Sequence, residues 1–289
     1  MRTHQIVGGG GLKLHVVEAG NAQGRPIVFL HGVSQSHLQW TLQMNSSLAG
    51  DHRLVALDMR GHGLSEKPRD AYTDSKLWAD DVNAVIRELG LDHPVLSGWS
   101  YGPLVILDYI RHYGEDRLGG IQIIGGITKL GSPEALSVLT ADFLSVVPQF
   151  LSLDAETCVQ GLQGLLRLCF AQEPSPSEMF MMLGYNVCVP PYVRQGLFSR
   201  SFSNDDLLSK IRIPVLITHG ALDRIVKPDI VAQHKAAMPH AEVQLMANTG
   251  HAAFWDSASA FNDRLHAFCG GLQKSVHYRS APTHVVGAP

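Results

Sequence analysis

The stretch from Val95 to Gly102 constrains the fold more than any other part of this 289-residue chain. An apolar run ends in Gly-x-Ser-x-Gly, and a helical pattern over residues 104–113 follows at once. A strand that turns so sharply into a helix needs glycine at positions 98 and 102, because a side chain there would keep the two elements apart. Ser100 is then held in a strained conformation with its hydroxyl above the sheet edge. This geometry predicts that Ser100 is a nucleophile.

Short apolar runs recur along the chain and alternate with helical patterns. The run at residues 26–30 is continuously apolar, as expected of a strand buried on both faces. Strands that alternate with helices indicate right-handed crossovers, and hence an α/β fold with a mostly parallel sheet. The predicted strands cover residues 12–18, 26–30, 53–58, 95–99, 118–127, 213–220 and 241–246, and the predicted helices cover 75–89, 104–113, 228–238 and 257–268.

Residues 130–206 differ in character from the segments on either side. They carry helical periodicities rich in Met, Phe and Leu, and contain no β-branched run of strand length. We therefore expect residues 130–206 to form a helical cap inserted into a core built from residues 1–129 and 207–271. Residues 272–289 lack periodicity and contain Gly, Ser and Pro, which is typical of a flexible tail.

Composition excludes several classes of function. The net charge of -3 implies no basic face, so a nucleic-acid partner is not expected. The apolar runs are too short for a membrane span, and no secretory signal follows residues 1–5, so we expect a cytoplasmic protein without membrane contact. Four cysteines without close spacing, Cys158, Cys169, Cys188 and Cys269, are interpreted as buried free thiols. The usual ligand spacings are missing, so neither a metal nor a cofactor is expected.

Two further segments at strand ends could complete the chemistry of Ser100. A serine hydroxyl needs a general base to attack a carbonyl carbon. His251 follows the last predicted strand, so its imidazole could lean over the sheet edge and accept the proton. Asp223 follows the preceding strand, where a carboxylate could hold the imidazole in the required tautomer.

Other histidines and aspartates compete for these two roles. His31 and His219 also lie at strand ends, but each immediately precedes a glycine and is expected to fix loop geometry. Asp229 and Asp256 are alternative carboxylates, although both are expected to cap helices instead.

An oxyanion hole needs two N–H donors aimed at one point. The backbone N–H of Tyr101 lies at the start of the helix beside Ser100, and that of Val33 follows a neighbouring strand. Since backbone groups would donate, the residue types at these positions carry no information, and the prediction depends on position alone.

These segments together resemble the α/β-hydrolases, and within them the cofactor-free, serine-type haloperoxidase, arylesterase and perhydrolase branch. The matching pieces are His31-Gly32, Asp-Met-Arg-Gly-His-Gly-Leu-Ser at 58–65, Gly-Trp-Ser-Tyr-Gly at 98–102, His-Gly-Ala-Leu-Asp at 219–223, and Gly250-His251. The chain order of serine, aspartate and histidine also matches the order in this superfamily. Pro103 departs from the glycine that many relatives carry after the motif, but proline is tolerated in a first helical turn.

The resemblance implies an eight-stranded, mostly parallel sheet flanked by helices, with an inserted helical cap. It also implies Ser100 as nucleophile, His251 as base and Asp223 as acid, with Val33 and Tyr101 as oxyanion donors. Haloalkane dehalogenases and epoxide hydrolases carry Asp where this chain has Ser100, so the resemblance favours acyl chemistry.

Aromatic and methionine side chains near the predicted site favour an apolar or aromatic small-molecule substrate. The residues expected to contact it are Trp40, Trp99, Phe254, Met182 and Tyr185, although such residues also commonly pack a cap onto a core. The leading hypothesis is a carboxylic-ester hydrolase acting through an acyl-Ser100 intermediate. A C–C bond hydrolase or lactonase with the same three residues is an alternative, and a small-molecule receptor on the same scaffold belongs to another class.

Overall fold

The computed structural model describes residues 1–276 and centres on an eight-stranded sheet. In spatial order its strands are β1 (Arg2–Val7), β2 (Lys13–Gly20), β4 (His52–Leu57), β3 (Arg25–Leu30), β5 (Val95–Trp99), β6 (Gly120–Ile124), β9 (Val215–Gly220) and β10 (Glu242–Met246). Strand β2 pairs antiparallel with β1 and β4, and the other pairs in this sheet are parallel. The prediction of a mostly parallel eight-stranded sheet is therefore confirmed. Two further short strands, β7 (Lys129–Leu130) and β8 (Phe202–Ser203), form a separate two-stranded sheet.

Helices cover both faces of this sheet, and the predicted helices all form with shifted ends. The helices of the described chain are α1 (Thr41–Met44), α2 (Leu48–Asp51), α3 (Ser75–Glu88), α4 (Gly102–Tyr113), α5 (Pro133–Ser137), α6 (Ala141–Phe150), α7 (Ala155–Cys169), α8 (Pro176–Val187), α9 (Pro191–Phe198), α10 (Asp205–Leu208), α11 (Ile230–Ala237), α12 (Ala253–Asp256) and α13 (Ala258–Val276), with 3-10 turns at Gly9–Gly11 and His37–Trp40. Among them, none combines the length and apolarity that crossing a bilayer requires.

Successive side chains of the central strands pack alternately in two separate hydrophobic clusters, one on each face of the sheet. In β3, Val28 and Leu30 join the cluster that contains α3 and α4, whereas Ile27 and Phe29 join the cluster on the opposite face. This alternation follows from the period of two along a strand, which sends neighbouring side chains to opposite faces. Both faces are covered, which explains why the strand reads as an unbroken apolar run.

The segment between β7 and β8 contains five helices, α5 to α9. The two short strands pair antiparallel with each other, so the segment leaves and rejoins the rest of the chain at one place. Buried side chains of α6, α7 and α8 belong to the same hydrophobic cluster as those of α13 and as Ile27 and Phe29 of β3. The division of the chain into a core and a cap stays a prediction.

Three expectations from the sequence need correction. The first strand, β1, was not predicted, because only Ile6 among its residues is buried and an exposed edge strand shows no apolar alternation. The predicted tail at 272–289 is wrong at its start, since α13 continues to Val276 and Leu272 is buried in the core; residues 277–289 lie outside the described residues. Cys188 is exposed, unlike the other three cysteines.

Candidate active site

Ser100 lies at the turn between β5 and α4 in a left-handed backbone conformation, with φ of 59°. Its N–H donates to Ile124 O at 2.9 Å, which ties the turn to the neighbouring strand. A Cβ at Gly98 would lie 2.7 Å from the Gly102 carbonyl carbon, and one at Gly102 would lie 2.5 Å from Leu30 O. Both contacts are closer than real side chains tolerate, so the two glycines are needed for the turn, as predicted.

His251 and Asp223 meet above the ends of adjacent strands. Asp223 follows β9, His251 follows β10, and His251 Nδ1 lies 2.8 Å from Asp223 Oδ2. Because an ionised carboxylate only accepts hydrogen bonds, this contact assigns the ring proton to Nδ1 and leaves Nε2 with a lone pair. Among the described residues, Nε2 of His251 has no hydrogen-bond partner although it is buried.

The Asp223 carboxylate is held from several sides. Its Oδ1 accepts from the N–H groups of Ile225 and Val226 at 2.8 and 3.0 Å. His219 Nε2 lies 3.1 Å from Oδ2 and 3.0 Å from Val226 O, so its N–H is shared between two acceptors. Burial opposes ionisation, but the contacts with His251 and His219 hold the pKa of Asp223 well below its ordinary value.

His219 is therefore a residue whose role the sequence reasoning missed. The sequence places His219 at a strand end and predicts that it fixes loop geometry. The structure shows that it also contacts the carboxylate that holds His251. The signal available in the sequence is its position four residues before Asp223, on the strand whose end carries that aspartate.

Ser100 and His251 face the same small cavity, whose volume is about 20 Å³. Such a volume holds roughly one water molecule. Its lining consists of Gly32, Val33, Gln35, Trp99, Ser100, Phe143, Leu165, Cys169, Ile225 and His251. Residues of α6 and α7 thus close the space above the serine.

The segment after β3 packs directly against the serine. A Cβ built at Gly32 would lie 3.1 Å from Ser100 Cβ, so the main chain beside Val33 approaches closely. Neither Val33 N–H nor Tyr101 N–H donates a hydrogen bond to another part of the described chain. Two free N–H groups beside a nucleophile are what an oxyanion hole requires.

Two buried histidines fix this segment. His31 accepts from Met59 N–H at 3.1 Å, and His62 accepts from Ser34 N–H at 3.2 Å. Burial lowers the pKa of His31 to about 4 and that of His62 to about 3, so both rings are neutral near pH 7. The expectation that His31 fixes loop geometry agrees with these contacts.

The alternative carboxylates lie elsewhere. Asp256 accepts from the N–H groups of Gly250 and Ala171 at 2.7 and 2.9 Å, and so attaches the loop that carries His251 to the end of α7. Asp229 is exposed in front of α11. Neither is hydrogen-bonded to His251 in the described structure.

Of the five residues expected to contact substrate, Trp99 alone is in the cavity lining. Its indole N–H also donates to His251 O at 2.9 Å, which fixes the histidine loop. Trp40 and Phe254 pack against each other in the core with tilted rings whose centroids are 4.4 Å apart, while Met182 and Tyr185 are buried in the same cluster. These four residues are buried in the core and are not in the lining of this cavity, so their contact with substrate stays a prediction.

The fold and the arrangement at Ser100 define a hydrolase of α/β architecture. The family model described as alpha/beta hydrolase fold matches residues 25–258, and the chain belongs to this family.

Relatives of known name agree with this assignment. An AB hydrolase superfamily protein of Bacillus subtilis is 31% identical over 252 residues, which cover 85% of this chain and 91% of the relative. A non-heme chloroperoxidase of Kitasatospora aureofaciens is 27% identical over 242 residues, covering 79% of this chain and 86% of that protein. The structure of an esterase from Rhodococcus superposes with a TM-score of 0.88 at 32% identity, covering 94% of this chain and all of the esterase.

Proposed function

We propose that this enzyme hydrolyses short-chain carboxylic esters of small apolar or aromatic molecules through an acyl-Ser100 intermediate. The observation that carries the proposal is that His251 lines the same cavity as Ser100 and keeps Nε2 without a partner while Nδ1 contacts Asp223. A base with one nitrogen fixed and the other free is suited to take a proton from a hydroxyl.

The reaction follows from these positions. His251 Nε2 removes the proton of Ser100 as the Ser100 oxygen attacks the ester carbonyl, and the Val33 and Tyr101 N–H groups stabilise the resulting oxyanion. The protonated ring then donates its proton to the leaving alcohol oxygen as the C–O bond breaks. Water activated by the same nitrogen attacks the acyl-enzyme, which releases the acid and restores the hydroxyl.

The size of the cavity supports a short acyl group. A volume of about 20 Å³ accommodates little more than a methyl group or a water molecule beside the serine. Phe143, Leu165 and Ile225 give this space apolar walls. We therefore expect acetate esters to be turned over with a higher kcat/KM than butyrate esters.

The test is the pre-steady-state hydrolysis of an aryl acetate. We expect a burst of phenol equal to the enzyme concentration, followed by slower turnover. The Ser100→Ala variant should lose both the burst and labelling by a serine-directed fluorophosphonate. Ser47→Ala is a suitable control, because Ser47 is exposed in front of α2 and lies outside the cavity. Equal turnover by the Ser100→Ala variant would contradict the acyl-enzyme.

Lactones form a second substrate class for the same site, since a lactone is an internal ester. An enzyme that degrades N-acyl homoserine lactones has a related structure, with a TM-score of 0.74 at 25% identity. A panel that sets a lactone and a vinylogous diketone beside the aryl acetate separates esterase from lactonase and from C–C bond hydrolase. A receptor would instead show ligand-induced thermal stabilisation without fluorophosphonate labelling.

A further inference from the structure

A cluster of two histidines and one aspartate lies outside the cavity at Ser100. His15 of β2 places Nδ1 at 3.0 Å from Asp58 Oδ2, and His37 places Nδ1 at 2.9 Å from the same oxygen. The two imidazole centroids are 4.9 Å apart. In the part of the chain that the structure describes, no other group of three such side chains brings its ligand atoms as close together.

The distances in this cluster fit a metal ion. Ligand atoms about 2.1 Å from one ion and about 90° apart lie about 3.0 Å from each other. The contacts of Asp58 Oδ2 with the two Nδ1 atoms have this length. All three ligand atoms lie within 4.8 Å of one another, so one ion could bind both imidazoles and the carboxylate once the rings turn Nδ1 from Asp58 Oδ2 toward the ion.

The carboxylate of Asp58 does not depend on the two imidazoles for its position. Its oxygens also accept from the backbone N–H groups of His37 and Leu64, at 2.6 and 2.9 Å. An ion that replaced the two ring contacts would leave these backbone contacts intact.

The cluster is open to solvent on one side. The side chains of His15 and His37 are 11% and 17% exposed, while Asp58 is fully buried beneath them. An ion can thus reach the two rings directly, and the low-dielectric surroundings of the carboxylate strengthen its attraction for a cation.

We propose that His15, His37 and Asp58 form a binding site for one divalent transition-metal ion such as Zn²⁺, Ni²⁺ or Co²⁺. Two imidazole nitrogens favour these ions over Mg²⁺ and Ca²⁺, which prefer oxygen ligands. The remaining coordination positions face solvent and are filled by water. Binding requires each Nδ1 to give up the proton that it directs at Asp58.

Asp58 would link the bound ion to the segment that contains Val33. That segment ends at the turn His37–Trp40, whose first N–H is held by the Asp58 carboxylate. Replacing two hydrogen bonds by metal–ligand bonds ties this turn, β2 and the segment after β4 together. We therefore expect the bound ion to raise the melting temperature of the whole protein.

The test uses the full chain, freed of metal with a chelator, and titrates Ni²⁺, Zn²⁺ or Co²⁺ alone. We expect one ion per chain by calorimetry, d–d absorption of bound Co²⁺, and no binding of Mg²⁺ at the same concentrations. His15→Gln and His37→Gln keep a donor toward Asp58 but lose the imidazole. Because loss of an outer partner alone costs about 10–100-fold in metal affinity, each should weaken binding by at least about tenfold.

His266→Asn provides the matched control. His266 Nδ1 lies 3.1 Å from His52 Nε2 and 3.8 Å from Asp51, a similar set of side chains in a looser arrangement. This variant should bind metal like the wild type. An anomalous difference map from Ni²⁺-soaked crystals should show a peak about 2.1 Å from both Nδ1 atoms and one Asp58 oxygen.

Three results would overturn the proposal. The wild-type chain could show no saturable binding, the variant with both histidines replaced could bind as tightly as the wild type, or the anomalous peak could lie at His266. The map does not depend on the folding of any variant, and no readout depends on esterase activity.

Discussion

Arg200 Nη2 donates to both carboxylate oxygens of Asp108, at 2.8 and 2.7 Å, although both side chains are almost completely buried. Arg200 lies between α9 and β8, and Asp108 is in α4, the helix that begins beside Ser100. Arg200 Nη1 also donates to the hydroxyl of Tyr101 at 3.2 Å. The pair therefore fastens the end of the predicted cap to the helix that follows the candidate nucleophile.

Removal of Arg200 should destabilise the protein strongly. The Arg200→Met change leaves Asp108 as a buried charge without its partner, which typically costs about 3–5 kcal/mol in unfolding free energy. Denaturant unfolding measures this loss. Arg167→Met is the control, because Arg167 pairs with Glu173 through side chains that are both more than half exposed. Its loss should be below about 1 kcal/mol, and similar losses for the two variants would argue against the buried pair.

Asp108 should also make stability depend on pH. Burial raises its pKa to about 6 from an ordinary value of 3.8, although Arg200 opposes the shift. The folded state then binds the proton more tightly than the unfolded state, so this contribution to stability is complete below about pH 4 and is lost as pH rises through 6. Relative to Asp108→Asn, the wild type should lose about 2 kcal/mol between pH 4 and 7. Parallel unfolding curves across this range would contradict the shift.

Asp223→Asn should abolish most of the activity without unfolding the protein. An amide at this position can hold the imidazole in the wrong tautomer, and the corresponding change in another serine hydrolase lowers kcat about ten-thousand-fold. The comparison is Asp229→Asn, which changes an exposed aspartate in front of α11 and should keep wild-type kcat. Aryl acetate turnover measures both, and comparable activity of the two variants would remove Asp223 from the mechanism.

His219 should act as a positioning residue for Asp223. A hydrogen bond to a charged group is worth about 1.5–3 kcal/mol, so its loss in His219→Phe should lower kcat by about tenfold with little change in KM. His219→Gln retains an N–H donor near the same two acceptors and should recover part of this loss. A purely structural role predicts no such rescue, and the ratio of kcat between the two variants decides the question.

Leu165→Ala should shift the acyl preference toward longer chains. Leu165 is in the cavity lining, so its truncation opens space for two more methylenes of a butyrate, worth about 1.6 kcal/mol. The ratio of kcat/KM for butyrate over acetate should rise about tenfold. Leu162→Ala removes an equally buried leucine from the same helix but outside the lining, and should leave this ratio unchanged. A ratio that moves equally in both variants would indicate a general loosening of the helices.

Local patterns in the sequence predicted the alternation of strands and helices and the turn at Ser100, whereas the number of strands was implied by the family resemblance. The period of two in strands, the period of 3.6 in helices and the steric demand for Gly98 and Gly102 act between residues close along the chain. For this reason the sheet and the main helices were predicted with small errors at their ends. The edge strand β1 was not predicted, because an exposed strand buries too few side chains to produce an apolar pattern.

Only the tertiary structure decided which distant side chains touch. The contact of His219 with Asp223, the burial of Trp40 and Phe254 away from the cavity, and the volume above Ser100 all depend on the packing of elements far apart in the chain. The cluster of His15, His37 and Asp58 draws its members from three separate segments, so no spacing rule could reveal it. Sequence periodicity reports which face of an element is buried, whereas a site depends on distances of a few ångströms between elements.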